Sequence, residues 1–163
     1  MTQKFLLIFL ILLPTLTWGA DLRGRLGAGL SNQLANGLPA LSMKLQSSKT
    51  FAVGAILGIK ADEAGTNYGT GIKLYRIIFD EPQLNFYLAG LFASENYLTS
   101  DDKLEQGYQV DGTMGTEFHF TGLESLGFSV EFGLSLRKGD EQGGSSFETL
   151  GDNFLKAGVH FYL

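Results

Sequence analysis

Apolar side chains recur at every second position of this chain from Leu22 onward, in runs separated by polar or glycine-containing links. An α-helix repeats its apolar residues every 3.6 positions, so an interval of two predicts β-strands. The runs number eight, and they cover residues 22–30, 41–46, 51–60, 69–78, 84–93, 108–120, 128–137 and 155–163. The fifth run is apolar at nearly every position, so alternation alone leaves open which of its side chains share a face.

The links between the runs differ in length according to their order. The links after runs two, four and six are short, covering residues 47–49, 80–83 and 121–126. Those after runs one, three, five and seven are mostly longer and more polar, covering residues 31–39, 61–67, 94–107 and 139–153. Outer-membrane barrels alternate short periplasmic turns with longer extracellular loops. The pattern therefore predicts an all-β fold, an eight-stranded antiparallel up-and-down transmembrane β-barrel.

The two faces of the predicted strands differ in charge. The apolar face carries one charged residue, Arg76, at a strand end, where a long side chain can reach water. The opposite face carries ten: Arg23, Arg25, Lys44, Lys60, Lys73, Asp111, Glu117, Glu131, Arg137 and Lys156. A soluble, lipocalin-like barrel would place this charged face in water and its apolar face inside. Three features favour the membrane barrel: the strands are about ten residues long, aromatic residues lie near strand ends, and the final strand ends at Phe161 and Leu163.

The first twenty residues are predicted to be a cleaved signal peptide. Lys4 precedes nine apolar residues at 5–13, followed by Pro14 and small or polar residues. The apolar run is much shorter than the ~20 residues of a transmembrane helix. Cleavage is expected after Gly19 or Ala20, which leaves residues 21–163 as the barrel domain and places it in the outer membrane.

Composition excludes several kinds of site. The chain has no cysteine, so it forms no disulfide, zinc–thiolate site, thiol nucleophile or lipoprotein anchor. Its formal net charge is −5, which argues against a nucleic-acid partner. The 22 glycines could belong to a flexible low-complexity chain, but here they lie inside the alternating runs, as a tightly packed barrel requires.

Two segments carry a resemblance to a known group of proteins. Residues 115–118, a short turn and residues 126–133 look like the penultimate hairpin of the small outer-membrane β-barrel superfamily, which includes OmpX-like and OmpA-transmembrane-domain-like proteins. Residues 157–163 resemble the terminal strand that these proteins present to the barrel assembly machinery, with Val159, Phe161 and Leu163 as the signal. Leu163 stands where that superfamily usually has Phe, which weakens the signal. The resemblance implies a location and an insertion route, and no activity.

Five charged residues are predicted to form a charge network in the lumen: Arg25, Lys73, Glu117, Glu131 and Lys156. Glu117 and Glu131 are expected to face each other across strands six and seven, because they are placed symmetrically about a turn near Glu124. Such a pair could gate the barrel or share a proton. A structural network that fills the interior is the preferred interpretation, because eight strands enclose little more than side chains.

Catalytic and metal sites are not predicted. His119 and Thr121 share a face near Glu124, which invites comparison with lipid A deacylases or acyltransferases, but threonine is a poor substitute for an activated serine. Two histidines without a third ligand provide no metal site, and no cofactor is expected. The acidic links are interpreted as a solvated surface. The sequence thus favours a structural or surface-interaction barrel among outer-membrane lipid and lipopolysaccharide; the alternatives are a narrow channel and, from another class, a lipid-modifying enzyme.

Overall fold

The computed structural model describes residues 21–35, 37–62, 65–98, 103–138, 144–149 and 155–163. The predicted signal peptide, residues 1–20, lies outside this part of the chain. Within the described ranges the chain forms nine strands: β1 (Leu26–Ser31), β2 (Ala40–Ser48), β3 (Phe51–Asp62), β4 (Gly65–Glu81), β5 (Leu84–Leu98), β6 (Leu104–Phe120), β7 (Leu123–Lys138), β8 (Ser145–Thr149) and β9 (Lys156–Tyr162). Among the described residues, no helix is long and apolar enough to span a membrane.

The nine strands form one closed antiparallel ring with eight positions. Each strand from β1 to β7 pairs with the next, and β9 pairs with both β7 and β1, which closes the ring. β8 and β9 share the eighth position, because β9 pairs with residues 126–131 of β7 and β8 pairs with residues 134–138. The predicted eight-stranded barrel is therefore confirmed, with its last position divided between two short strands.

The strand pairing also gives the tilt of the barrel. Starting at Leu30, the paired residues can be traced around the ring in two directions. Through β2, β3, β4, β5 and β6 the trace arrives at Lys138 of β7. Through β9 it arrives at Phe128, which lies ten positions earlier in β7. With ordinary strand spacings, a stagger of ten residues around eight strands corresponds to a tilt of about 40°. This is the tilt typical of transmembrane barrels.

Apolar side chains point outward and charged side chains point inward. In β4 the residues Ile72, Leu74 and Arg76 face outward, whereas Lys73 and Tyr75 are buried in the lumen. The alternation predicted from the sequence is thus the inside–outside alternation of the wall. It also settles the ambiguous fifth run: Tyr87, Leu91 and Ala93 face the lumen, while Leu88 and Phe92 face outward.

The two ends of the barrel are built differently. One end, here called the turn end, carries the two-residue links 49–50, 82–83 and 121–122. At the opposite end, the loop end, the strands extend further than the sequence predicted, so β3 reaches Asp62 and β5 reaches Leu98. Polar residues expected in loops, Glu95 among them, therefore lie in strands, because backbone pairing continues past the last apolar residue. β8 was not predicted, since it lies inside a link that the sequence presented as a loop.

The link between β1 and β2 does not project from the barrel as the predicted extracellular loop would. Residues 32–35 and 37–39, here called the inturned segment, fold into the loop-end half of the lumen. Leu34 and Leu38 are buried there with Ile56, Leu91 and Ala93. The segment turns inward because its leucines find an apolar patch on the lumen wall, which the alternation pattern alone does not reveal.

Candidate functional site in the barrel lumen

The lumen near the turn end is centred on Glu117. Lys44 Nζ donates a 2.6 Å hydrogen bond to its Oε2, and the Tyr162 hydroxyl donates one of 2.6 Å to its Oε1. His160 Nδ1 lies 4.0 Å from the same carboxylate, while its Nε2 is 2.9 Å from the Ser42 hydroxyl. The Lys44 and Glu117 side chains are only 3% and 1% exposed, so this ion pair is shielded from water. Such pairs hold together only when their remaining hydrogen-bonding atoms are satisfied.

A second buried carboxylate, Glu131, lies further towards the loop end. It forms an ion pair with Lys73 Nζ. Its Oε1 accepts hydrogen bonds of 2.9 Å from the Tyr87 hydroxyl and from Gln33 Nε2, and its Oε2 accepts one of 2.9 Å from the Thr113 hydroxyl. Four donors therefore converge on one carboxylate, which fixes its position across the lumen.

Glu117 and Glu131 do not face each other, and that prediction is wrong. Glu117 pairs with Ser129, and Glu131 pairs with Gly115. The β6–β7 link contains only residues 121–122, and Gly122 adopts a φ of 83°, in the left-handed region that favours glycine. The tight turn and a β-bulge between His119 and Phe120 together set this register, and each carboxylate contacts its own lysine, Lys44 or Lys73.

Two further residues were predicted for the network, Arg25 and Lys156, and their side chains bond to backbone and hydroxyl groups. Arg25 is at the turn end, where its Nη2 donates to the Tyr162 carbonyl at 2.6 Å and to the Ser125 hydroxyl at 2.8 Å. Lys156 Nζ lies 3.5 Å from the Leu34 carbonyl in the loop-end half. Of the five predicted residues, Lys73 and Glu131 form an ion pair, and Lys156 is the cross-strand neighbour of Glu131 on β9. Lys44, the partner of Glu117, was recognised as inward-facing but was not included in the network.

Aromatic rings and glycines fill the space between the charged groups. Lys44 Nζ lies 4.7 Å from the centre of the Tyr75 ring, and Tyr75 packs edge-on against Tyr87 at 5.3 Å. A Cβ added at Gly115 would lie 2.6 Å from Glu131 Cγ and 2.8 Å from Tyr87 Cζ. Position 115 therefore accepts only glycine without displacing its neighbours, and the lumen is packed with side chains at this level.

His119 and Thr121 do not form a catalytic arrangement. His119 is buried in the lumen, and neither of its ring nitrogens has a hydrogen-bond partner among the described residues. Thr121 lies in the exposed turn, where its hydroxyl accepts a hydrogen bond from Gln83. The described residues also contain no cluster of three or more histidine, aspartate or glutamate side chains that could hold a metal ion.

Sequence reasoning missed the polar contacts near the loop end. Glu95 and Gln109 are both fully buried, and each accepts a 2.8 Å hydrogen bond from the Ala35 backbone amide. Gln109 Nε2 also donates to the Gln33 carbonyl at 3.0 Å. Glu95 was assigned to a loop because the fifth run was ended too early, and the sequence gives no signal that the β1–β2 link turns inward to meet these residues.

Comparison with solved structures identifies this architecture. The N-terminal β-barrel domain of Pseudomonas aeruginosa OprF superposes with a TM-score of 0.58 at 18% sequence identity, and the match covers 86% of this chain and 98% of that domain. This chain has the OprF-type barrel fold. The resemblance to small outer-membrane barrels inferred from the sequence is confirmed at the level of the fold. No family model matches the chain. No curated protein matches it either. The likeness to the OprF-type barrel therefore concerns architecture, and its residues carry no role over to this chain.

Proposed function

We propose that this chain is an outer-membrane β-barrel with a structural or surface-interaction role, a lumen filled by side chains, and no catalytic activity. The observation that carries the proposal is the orientation of the wall. Large apolar side chains face outward along the strands, with Ile72 61% and Leu134 48% exposed, while Lys44, Lys73, Glu117 and Glu131 are buried. A water-soluble barrel has no reason to expose the first set and bury the second.

Aromatic clusters at the margins of the apolar surface support a membrane location. Phe118, Phe120 and Phe128 pack against one another near the turn end, with ring centres 5.7–6.0 Å apart. Towards the loop end, Phe92 stacks on Tyr108 at 6.1 Å. Outer-membrane barrels carry such aromatic girdles at both interfaces with the lipid headgroups. The surrounding lipid and lipopolysaccharide are therefore the proposed environment of this surface.

Cell fractionation with heat-modifiable gel migration tests the location. The protein should be found in the outer-membrane fraction and should migrate faster unheated than boiled, because a closed barrel resists unfolding by detergent. Loss of residues 1–20 from the recovered protein would support the proposed signal peptide. Recovery entirely in the soluble periplasm would overturn the membrane assignment.

A narrow channel is the second candidate, because charged and polar side chains line the lumen along its length. Two features oppose open conduction: the Lys44–Glu117 pair near the turn end, and the inturned segment near the loop end. In planar bilayers, the purified protein is expected to show no steady conductance. A steady conductance that disappears in Glu131→Ala would show instead that these charges act as a filter.

A lipid-modifying enzyme is the least supported candidate, because His119 and Thr121 lie in different environments. Mass spectrometry of lipid A from expressing cells should give the same spectrum as lipid A from cells without the protein. A new acylation pattern would overturn the non-catalytic assignment.

A further inference from the structure

The inturned segment is held in the lumen as a bound peptide would be. Three consecutive residues have backbone atoms beside polar side chains of the barrel: the Gln33 carbonyl, the Leu34 carbonyl and the Ala35 amide. The Gln109 amide group both accepts from Ala35 and donates to Gln33, which is the double contact that a neighbouring β-strand makes. The barrel therefore recognises the backbone of this segment directly.

The side chains of the segment are recognised as well. The Gln33 carboxamide lies between opposite charges: its Nε2 donates to Glu131 at 2.9 Å, and its Oε1 accepts from Lys73 Nζ at 2.9 Å. Leu34 and Leu38 fill an apolar patch on the wall that includes Ile56 and Leu91. The barrel thus provides charged partners for a primary amide and an apolar surface for two leucines.

Below the segment the lumen is closed. The Lys44–Glu117 pair joins β2 to β6, and these strands lie four positions apart in a ring of eight, on opposite sides. Without the inturned segment, the loop-end half would be a cup with a closed floor and not a passage. The exposed Gly37 and Pro39 show that the mouth of this cup lies at the barrel surface.

We propose that the loop-end half of the lumen is a peptide-binding cup that the chain's own inturned segment, residues 32–35 and 37–39, occupies in the absence of a partner. Its ligand is an extended peptide with a glutamine followed by leucine residues, which enters when the inturned segment leaves. Gln109 and Glu95 bind the peptide backbone, Lys73 and Glu131 bind the carboxamide, and the apolar patch takes the leucines. This inference rests on the surface-interaction role in the proposed function and names the class of partner.

The test uses a fluorescent peptide with the sequence of residues 31–39 and the purified, refolded barrel. In the wild-type protein, the tethered segment competes at an effective concentration in the range of about 1 mM, so binding should be weak. In the double variant Leu34→Asp/Leu38→Asp, the segment no longer fits the apolar patch, and the peptide should bind at least about tenfold more tightly. A peptide carrying the same two Asp substitutions should not bind.

A disulfide lock provides the matched control. A Cβ at Gly58 would lie 3.2 Å from Leu38 Cβ, slightly shorter than the separation of about 3.5–4.5 Å in disulfides, and 2.8 Å from Leu34 Cδ1, so the end of the Leu34 side chain must shift. The natural chain contains no cysteine that could compete. Oxidised Leu38→Cys/Gly58→Cys should bind no peptide, and reduction should return binding to the weak level of the wild-type protein. Heat-modifiable migration verifies that each variant is folded.

The proposal is overturned if the Asp variant binds the peptide no better than the oxidised lock, or if labelled hexadecanoic acid binds the cup while the peptide does not. A barrel that binds the peptide but fractionates with the soluble periplasm overturns only the membrane assignment.

Discussion

Lys44 and Glu117 meet across the full width of the barrel. Lys44 belongs to β2 and Glu117 to β6, strands on opposite sides of the ring, and Nζ and Oε2 are 2.6 Å apart. The pair therefore connects the two halves of the wall through the lumen as well as blocking it. Because both side chains are shielded from water, removing one leaves the other charge without compensation.

Glu117→Gln is expected to destabilise the folded barrel by about 3–5 kcal/mol, because the Lys44 ammonium group loses its counter-charge in a buried site. Adding Lys44→Met should recover most of this loss, since the stranded charge is removed. Urea titration in lipid vesicles, followed by gel migration, measures the difference. Glu81→Gln, an exposed carboxylate at the turn end, is the matched control. Equal stability of the Glu117 and Glu81 variants would contradict the structural role of the pair.

Gly115→Ala should destabilise the barrel by about 1–3 kcal/mol, because the new methyl group would collide with Glu131 and Tyr87, which are held by hydrogen bonds. Gly112 is in the same strand but faces outward, and a Cβ there would meet no atom within 4 Å. Gly112→Ala should therefore be neutral or slightly stabilising. The same urea titration compares the two variants, and equal effects would argue against a tightly packed lumen.

Leu74→Arg tests whether the outer surface faces lipid. Leu74 is 50% exposed in the middle of β4, and an arginine at the centre of an apolar bilayer costs about 2–4 kcal/mol. Tyr68→Arg, nearer the loop end of the same strand, should cost about 0–1 kcal/mol. Folding stability in vesicles measures both. In a water-soluble barrel neither substitution would cost stability, so a neutral Leu74→Arg would contradict the membrane assignment.

The Ala35 amide should exchange its hydrogen slowly, although it lies outside the strands. It is hydrogen-bonded to Glu95 and Gln109 within the lumen, so exchange requires the inturned segment to leave. We expect the segment to leave the lumen with an opening free energy of about 3 kcal/mol. The Ala35 amide should then exchange at least about a hundredfold more slowly than the exposed amide of Lys49, which lies in a turn-end link. Nuclear magnetic resonance in detergent micelles gives both rates. Equal exchange would place the segment outside the barrel.

Leu163→Phe should increase the fraction of newly made protein that reaches the folded, heat-modifiable form. Phe161 in β9 and Leu163 directly after it both point outward, as a signal read by the barrel assembly machinery would require. The substitution restores the residue usual at that position in the superfamily that the chain resembles. Phe161→Ala should have the opposite effect. Unchanged yields in both variants, measured by gel migration after fractionation, would contradict a role for this strand in assembly.

The barrel could be predicted from the sequence because a closed barrel wall imposes one rule along its strands. Each residue of β4 from Thr70 to Ile78 faces outward or into the lumen according to its parity, and the side-chain types follow. The phase of β5 could not be read in this way, because Leu91 and Ala93 face an apolar patch and not a charged lumen.

The contacts within the lumen could be predicted only in part. The sequence identified Lys73 and Glu131 as inward-facing, but the partner of each charge depends on register. The register of β6 against β7 is set by the turn at Gly122 together with a β-bulge beside His119, which alternation does not reveal. The inturned segment could not be predicted, because Gln33 and Leu34 are residue types that are ordinary in a loop. Their inward position follows only from the contacts with Gln109 and Ile56, which the sequence does not show.

The closing seam of the ring joins the two ends of the described chain. Residues 27–31 of β1 pair with residues 158–162 of β9, so the edges of the first and last described strands stay uncovered until these two strands meet. Bringing such distant residues together carries a large loop-closure entropy, and contacts of this kind form slowly. Folding of this protein should therefore be limited by the rate of seam formation, and weakening β1–β9 contacts should leave the unclosed chain exposed for longer to aggregation and proteolysis.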